Sequence, residues 1–109
     1  MTLKRLKCDK DSLFDLWLVR VRGKGYQVVP LVGEELSKDL IFDDRSFGWM
    51  ISNGKANVGV TCKEIGDSIE VAIHVSTPFI WFGGNLNLAS DIEALLLEAG
   101  GRSERMAQP

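Results

Sequence analysis

Two tight-turn signals, Asn53-Gly54 and Gly66-Asp67, sit inside a stretch of alternating apolar and polar residues over 47–76. Together they constrain the fold more than any other feature. Asn-Gly is the preferred pair for a type I′ hairpin turn, because both central residues need φ > 0. Counting outward from it places Ile51 opposite Ala56, Trp49 opposite Val58 and Phe47 opposite Val60. Gly66-Asp67 suits a type II′ turn, with glycine first. Counting back from it pairs Cys62 with Val71, Val60 with Ile73 and Val58 with Val75. Both counts gather Phe47, Trp49, Ile51, Val58, Val60, Cys62, Val71, Ile73 and Val75 on one face. The pattern predicts a three-stranded antiparallel meander with that face buried.

The flanking chain adds further elements. Residues 1–12 carry Leu3, Leu6 and Cys8 as their only apolar anchors, which fits an edge strand or an arm. Over 15–22, Trp17, Val19 and Val21 alternate with their neighbours and read as a strand. Gly23-Lys24-Gly25 then turns the chain into a second strand over 26–32, with Pro30 marking an edge or a bulge. Leu36 and Leu40 permit a two-turn helix in the acidic connection that follows. The strongest helix signal covers 90–99. It has Ser90 as N-cap, Glu93 completing a capping box, a stripe of Ile92, Leu95, Leu96 and Ala99, and Gly100 as the terminating residue. The predicted architecture is α+β: an antiparallel sheet of about five or six strands, meander 47–76 central, with a C-terminal helix (90–99) packed on one face. One domain over 1–101 is expected, followed by a disordered tail, 102–109.

Composition closes off several classes of function. A net charge of −2 gives no general basic surface for nucleic acid or membrane. No run approaches the roughly 18 apolar residues of a membrane helix, and the charged N-terminus lacks the apolar core of a signal peptide, so a cytoplasmic location is expected. Two cysteines, Cys8 and Cys62, read as reduced thiols. With one histidine there is no zinc constellation. Asp39, Asp43 and Asp44 lack the spacing of a calcium loop. Gly23-Lys24-Gly25 and Gly83-Gly84 match no phosphate-binding loop. Neither metal nor cofactor is expected.

Candidate binding residues fall into two groups. On the polar parity of the meander the predicted rows are Gly48, Gly59 and His74, then Met50, Asn57 and Ser76, with Thr61 beside Ala72 and Lys63 beside Glu70. A trough at His74 lined by Asn57 and Ser76 would serve a small molecule or a nucleic acid, with Arg20, Arg22 and Lys24 as further contacts. The competing structural reading is that the glycines admit a packed aromatic. A Cys62–His74 nucleophilic pair is ruled out by parity, since the sheet would lie between them. Cys8 could reach His74 only through a fold-back.

The second group is acidic and aromatic. Residues 1–24 carry a net +4, whereas 33–44 carry −4. Glu34, Glu35, Asp39, Asp43 and Asp44 would steer a basic partner, and Phe79, Trp81 and Phe82 would anchor it. The resulting expectation is a small non-enzymatic protein that binds and neutralises another protein, in the manner of an immunity protein, an antitoxin or a phage-encoded inhibitor. Its partner would be a toxin or nuclease with a basic surface. Homodimerisation through an uncovered edge strand is a further expectation.

Overall fold

A computed structural model of the chain describes residues 2–31, 46–74 and 83–103. Among these residues six strands form one antiparallel sheet: β1 (Thr2–Cys8), β2 (Gln27–Pro30), β3 (Ser46–Ser52), β4 (Asn57–Ile65), β5 (Ser68–His74) and β6 (Arg102–Ser103). Their order is β2-β3-β4-β5-β1-β6. The predicted meander is therefore central, and Pro30 lies on an edge strand.

The second hairpin matches expectation over the described residues; Val75, expected opposite Val58, lies outside them. Ile65 pairs with Ser68, Cys62 with Val71 and Val60 with Ile73, and Gly66 takes φ +62° at the first turn position. The first hairpin is shifted by two residues: Ile51 lies opposite Val58, Trp49 opposite Val60 and Phe47 opposite Cys62. A longer connection over 53–56 replaces the type I′ turn. The Asn53 side-chain oxygen accepts hydrogen bonds from the backbone N–H groups of Lys55 (2.9 Å) and Ala56 (2.8 Å). Asparagine thus shapes the loop through its side chain, as in an Asx turn, without adopting φ > 0 itself. Because the shift is even, every side chain keeps its face.

The larger correction concerns residues 15–22, which are helical. We designate residues 10–23 α1; it has wide π-helical turns over Ser12–Trp17 and α-helical turns over Leu18–Gly23. The predicted hairpin of 15–22 with 26–32 does not form, and β2 pairs with β3 instead. Asp9 starts the helix, its carboxylate accepting the Ser12 N–H at 2.7 Å while its carbonyl accepts that of Leu13. This bond holds the exposed Asp9 carboxyl below the usual carboxylate range. Leu18 N–H reaches back five residues to Leu13, and the wide turns bring Leu13, Trp17, Leu18 and Val21 to the core. Val19, inward on the strand reading, is 60% exposed.

The C-terminal helix, α2 (Gly83–Glu98), begins before the predicted start. Ser90 is an exposed mid-helix residue, and Glu93 pairs with Lys4 of β1 (3.8 Å) instead of closing a capping box. Its end is as expected. Gly100 has φ +111°, Gly101 N–H bonds Leu96 O at 2.8 Å and Gly100 N–H bonds Leu97 O at 3.2 Å. This is the double bond pattern of a Schellman motif. Leu88, Ile92, Leu95 and Leu96 are buried, contributing on the order of 6–12 kcal/mol before conformational entropy is subtracted.

Both helices cover the face carrying Trp49, Ile51, Val58, Val60, Cys62, Val71 and Ile73. Trp17 is the hinge of this packing. Its indole Nε1–H donates to Ile92 O at 3.2 Å, and its ring lies 5.7 Å from that of Trp49. Phe14 and Phe47 complete the aromatic cluster at 5.6 Å. The N-terminus is inserted between β5 and β6, so it is neither a loose arm nor the sheet edge. Arg102 and Ser103, at the head of the expected tail, pair with Lys7 and Leu6.

Candidate functional site

Antiparallel pairing sends Ile73 and His74 to opposite faces. Ile73, Val71 and Cys62 lie in the core, and His74, Ala72 and Glu70 point to the side away from the helices. Cys62 and His74 are thereby separated by the sheet. Cys8 also belongs to the core, opposite Ile69. Both cysteines are free thiols. Burial, then the neighbouring Asp9 charge, pushes Cys8 up to about 11, and burial raises Cys62 well above the ordinary thiol range. Such thiols are poor nucleophiles.

The outward face has a centre and a charged end. At the centre, Gly59 lies between Met50 and His74, and Gly48 lies opposite Thr61. The predicted row of Gly48, Gly59 and His74 is thus corrected by the two-residue shift, and Asn57 faces Ser52 instead of Met50. His74 Nε2 and Thr61 Oγ1 are 2.6 Å apart, which gives the nearly buried hydroxyl its partner. Gly48 allows a close approach: a Cβ there would meet Val60 O at 2.3 Å. Ala72 beside Thr61 and Lys63 beside Glu70 stand as predicted. Asn57 lies two residues before Gly59, the partner of His74, and on the same face; Ser76 lies outside the described residues.

Of the charged end, only the Lys63–Glu70 pair was legible from local sequence. β1 places Arg5 opposite Ala72 and Lys7 opposite Glu70, and β6 places Arg102 opposite Lys7. Lys63, Glu70, Lys7 and Arg102 therefore form one row across β4, β5, β1 and β6. Arg5 joins it through an ion pair with Glu70 at 3.3 Å. Four cations surround one carboxylate. Beyond the Lys63–Glu70 pair, the sequence signal was the alternation of Arg5 and Lys7 with Leu6 and Cys8; the long-range pairing that completes the row has no local signature.

The remaining predicted residues are distributed as follows. Glu34, Glu35, Asp39, Asp43 and Asp44, with Phe79, Trp81 and Phe82, lie outside the described residues. Arg20, Arg22 and Lys24 are at the end of α1, on the helix side of the sheet, with Arg20 paired to Glu98 at 3.6 Å. They do not join the His74 face. Among the described residues no group of three or more His, Cys, Asp or Glu could hold a metal ion, and no helix is long and apolar enough to cross a membrane. Comparison with protein families, curated proteins and solved structures yields no match.

Proposed function

We propose that this chain acts by binding, and so neutralising, another protein, and that the charged end of the outward sheet face forms part of the contact. The observation that carries the reading is the row of Lys63, Glu70, Lys7 and Arg102, with Arg5 beside it, spanning four hydrogen-bonded strands. Side chains held at strand spacing on a rigid sheet are pre-organised, which lowers the entropy lost on binding. Their excess positive charge favours a partner surface rich in carboxylates at this end. The acidic residues Glu34–Asp44 would add a second contact of opposite sign, to a basic part of the same partner. The test is capture from the native host with the full chain, followed by cross-linking and mass spectrometry. A stoichiometric protein cross-linked through Lys7 or Lys63, and lost in the Lys7→Glu/Arg102→Glu variant, is expected. No stoichiometric partner, or one retained by that variant, would overturn the proposal.

A second reading, a small-molecule or nucleic-acid site, rests on the Thr61–His74 pair at the middle of the same face. It requires the ring resonances of His74, the single histidine of the chain, to move when an oligonucleotide or a nucleotide is titrated in. Static resonances remove it.

A further inference from the structure

We infer that the row Lys63, Glu70, Lys7 and Arg102 seats an acidic α-helix of the partner, laid across the strands. Its acids face Lys63, Lys7 and Arg102, and a residue other than an acid faces Glu70. This rests on the reading of the row as a protein contact and specifies the element that meets it. Cross-strand pairing puts Lys63 beside Glu70, Glu70 beside Lys7 and Lys7 beside Arg102 on the outward face. Read across the sheet, the charges run plus, minus, plus, plus. Arg102 is exposed, and the Glu70 side chain stays 28% accessible although Arg5 holds it at 3.3 Å.

Spacing selects a helix. Neighbouring strands lie about 4.8 Å apart, so the four positions span about 14 Å in three nearly equal steps. On an α-helix, positions i, i+3, i+7 and i+10 share one face. At a rise of 1.5 Å per residue they span about 15 Å, in steps of about 4.5, 6 and 4.5 Å. Each of the four therefore stands over one strand. An extended segment presents alternate residues to one face about 6.7 Å apart, so four of them span about 20 Å and overrun the row.

The order of signs selects protein over nucleic acid. A phosphate backbone is negative at every step and would set a phosphate against Glu70, whereas side chains can alternate in sign. The complement of the row is Glu-x-x-Lys-x-x-x-Glu-x-x-Glu, starting over Lys63, or Glu-x-x-Glu-x-x-x-Lys-x-x-Glu in the opposite direction. Glu70 is the repulsive element that separates these sequences from acidic helices in general. Ile65, 45% exposed, follows Lys63 by two residues on the same face and offers an apolar contact beside the first acid.

Fluorescence anisotropy of the full chain with two labelled peptides of about 20 residues, long enough to be helical, tests it. Both have an alanine and glutamine host, blocked ends and the same net charge. The first carries Glu-x-x-Lys-x-x-x-Glu-x-x-Glu; the second, Glu-x-x-Glu-x-x-x-Glu-x-x-Lys, has the lysine moved to the end. The first should bind about 5–30-fold more tightly, because in either direction the second sets an acid on Glu70 and a lysine on a cation. Glu70→Gln, which keeps the size and loses the charge, should cut that preference at least about two-fold. Lys7→Glu/Arg102→Glu should abolish it. Far-UV circular dichroism checks that the variants stay folded and that the two peptides are equally helical. Equal affinities, a preference that Glu70→Gln leaves unchanged, no binding of either peptide up to about 1 mM, or tighter binding of an oligonucleotide of the same net charge would each overturn the inference. Failure of the underlying reading shows elsewhere, in the capture from the native host. A partner lost there in the Lys7→Glu/Arg102→Glu variant, with the two peptides bound equally here, overturns the helix and leaves the contact standing.

Discussion

Replacing Trp17 with phenylalanine isolates the contact on which the helix layer is built. Trp17 is fully buried, its ring packs against Trp49, and its Nε1–H donates to Ile92 O within α2. Phenylalanine keeps one aromatic ring next to Cβ but loses the donor and the volume of the outer benzo ring. A hydrogen bond of this kind contributes about 1 kcal/mol net. Ile92 O stays within the helix ladder, so no carbonyl is orphaned by the change. The missing ring atoms leave a cavity costing a further 1–2 kcal/mol or so, depending on how far Trp49 and Ile92 relax into it. The expected total is about 2–3 kcal/mol, a large part of the roughly 5–15 kcal/mol that holds such a domain together. Urea unfolding followed by far-UV circular dichroism reads this as a lower midpoint with an unchanged m-value. A loss below about 0.5 kcal/mol would refute the reasoning, because that is the response of a surface position.

Three further outcomes follow from other contacts. Gly101→Ala should destabilise by about 1–3 kcal/mol in the same unfolding assay, since its Cβ would lie 2.8 Å from Leu96 Cγ and 2.9 Å from Leu96 O; a neutral result would contradict the Schellman geometry. Tyr26 is the single tyrosine, so absorbance at 295 nm titrates it alone; its midpoint should lie above 10, raised first by the hydrogen bond to Asp91 and then by burial, and Asp91→Asn should lower it. A midpoint at or below 10 would mean that contact is not made. Cys8 and Cys62 should resist a thiol reagent until the chain unfolds. Because burial raises both thiols, the folded state binds protons more tightly there than the unfolded chain does. Stability is therefore fully present below pH 9 and falls as pH rises from about 9 through about 11. Stability that held constant across that range would show the thiols to be solvated.

Parity was the most legible part of the fold. Reading Asn53-Gly54 as a two-residue turn misplaced the first hairpin by two positions, yet an even error leaves every side chain on its own face. Cys62 and His74 therefore separate as expected, although their rows differ. The N-terminal helix was hidden because Trp17, Val19 and Val21 alternate like a strand, while the true inward set of Leu13, Trp17, Leu18 and Val21 follows wide π-helical turns that no regular period describes. Ser90 and Glu93 imitated a helix start because the preceding Gly83, Gly84, Asn85 and Asn87 are weak helix formers. Burial of Leu88 and Ala89 against the core supplies what their propensity lacks. Of the site, His74 and the Lys63–Glu70 pair followed from local turns. Arg5, Lys7 and Arg102 reached it through pairing across most of the chain length, which local sequence does not encode.

The central claim is that both helices lie on the Cys62 face of the sheet, with His74 and the charged row on the opposite face. Nuclear Overhauser contacts from the Trp17 indole measure this directly. The account predicts contacts from that ring to Trp49 and to the Ile92 backbone, and none to His74 or Thr61. Contacts between the Trp17 ring and His74, or a strand-like pattern of contacts along 15–22, would contradict it.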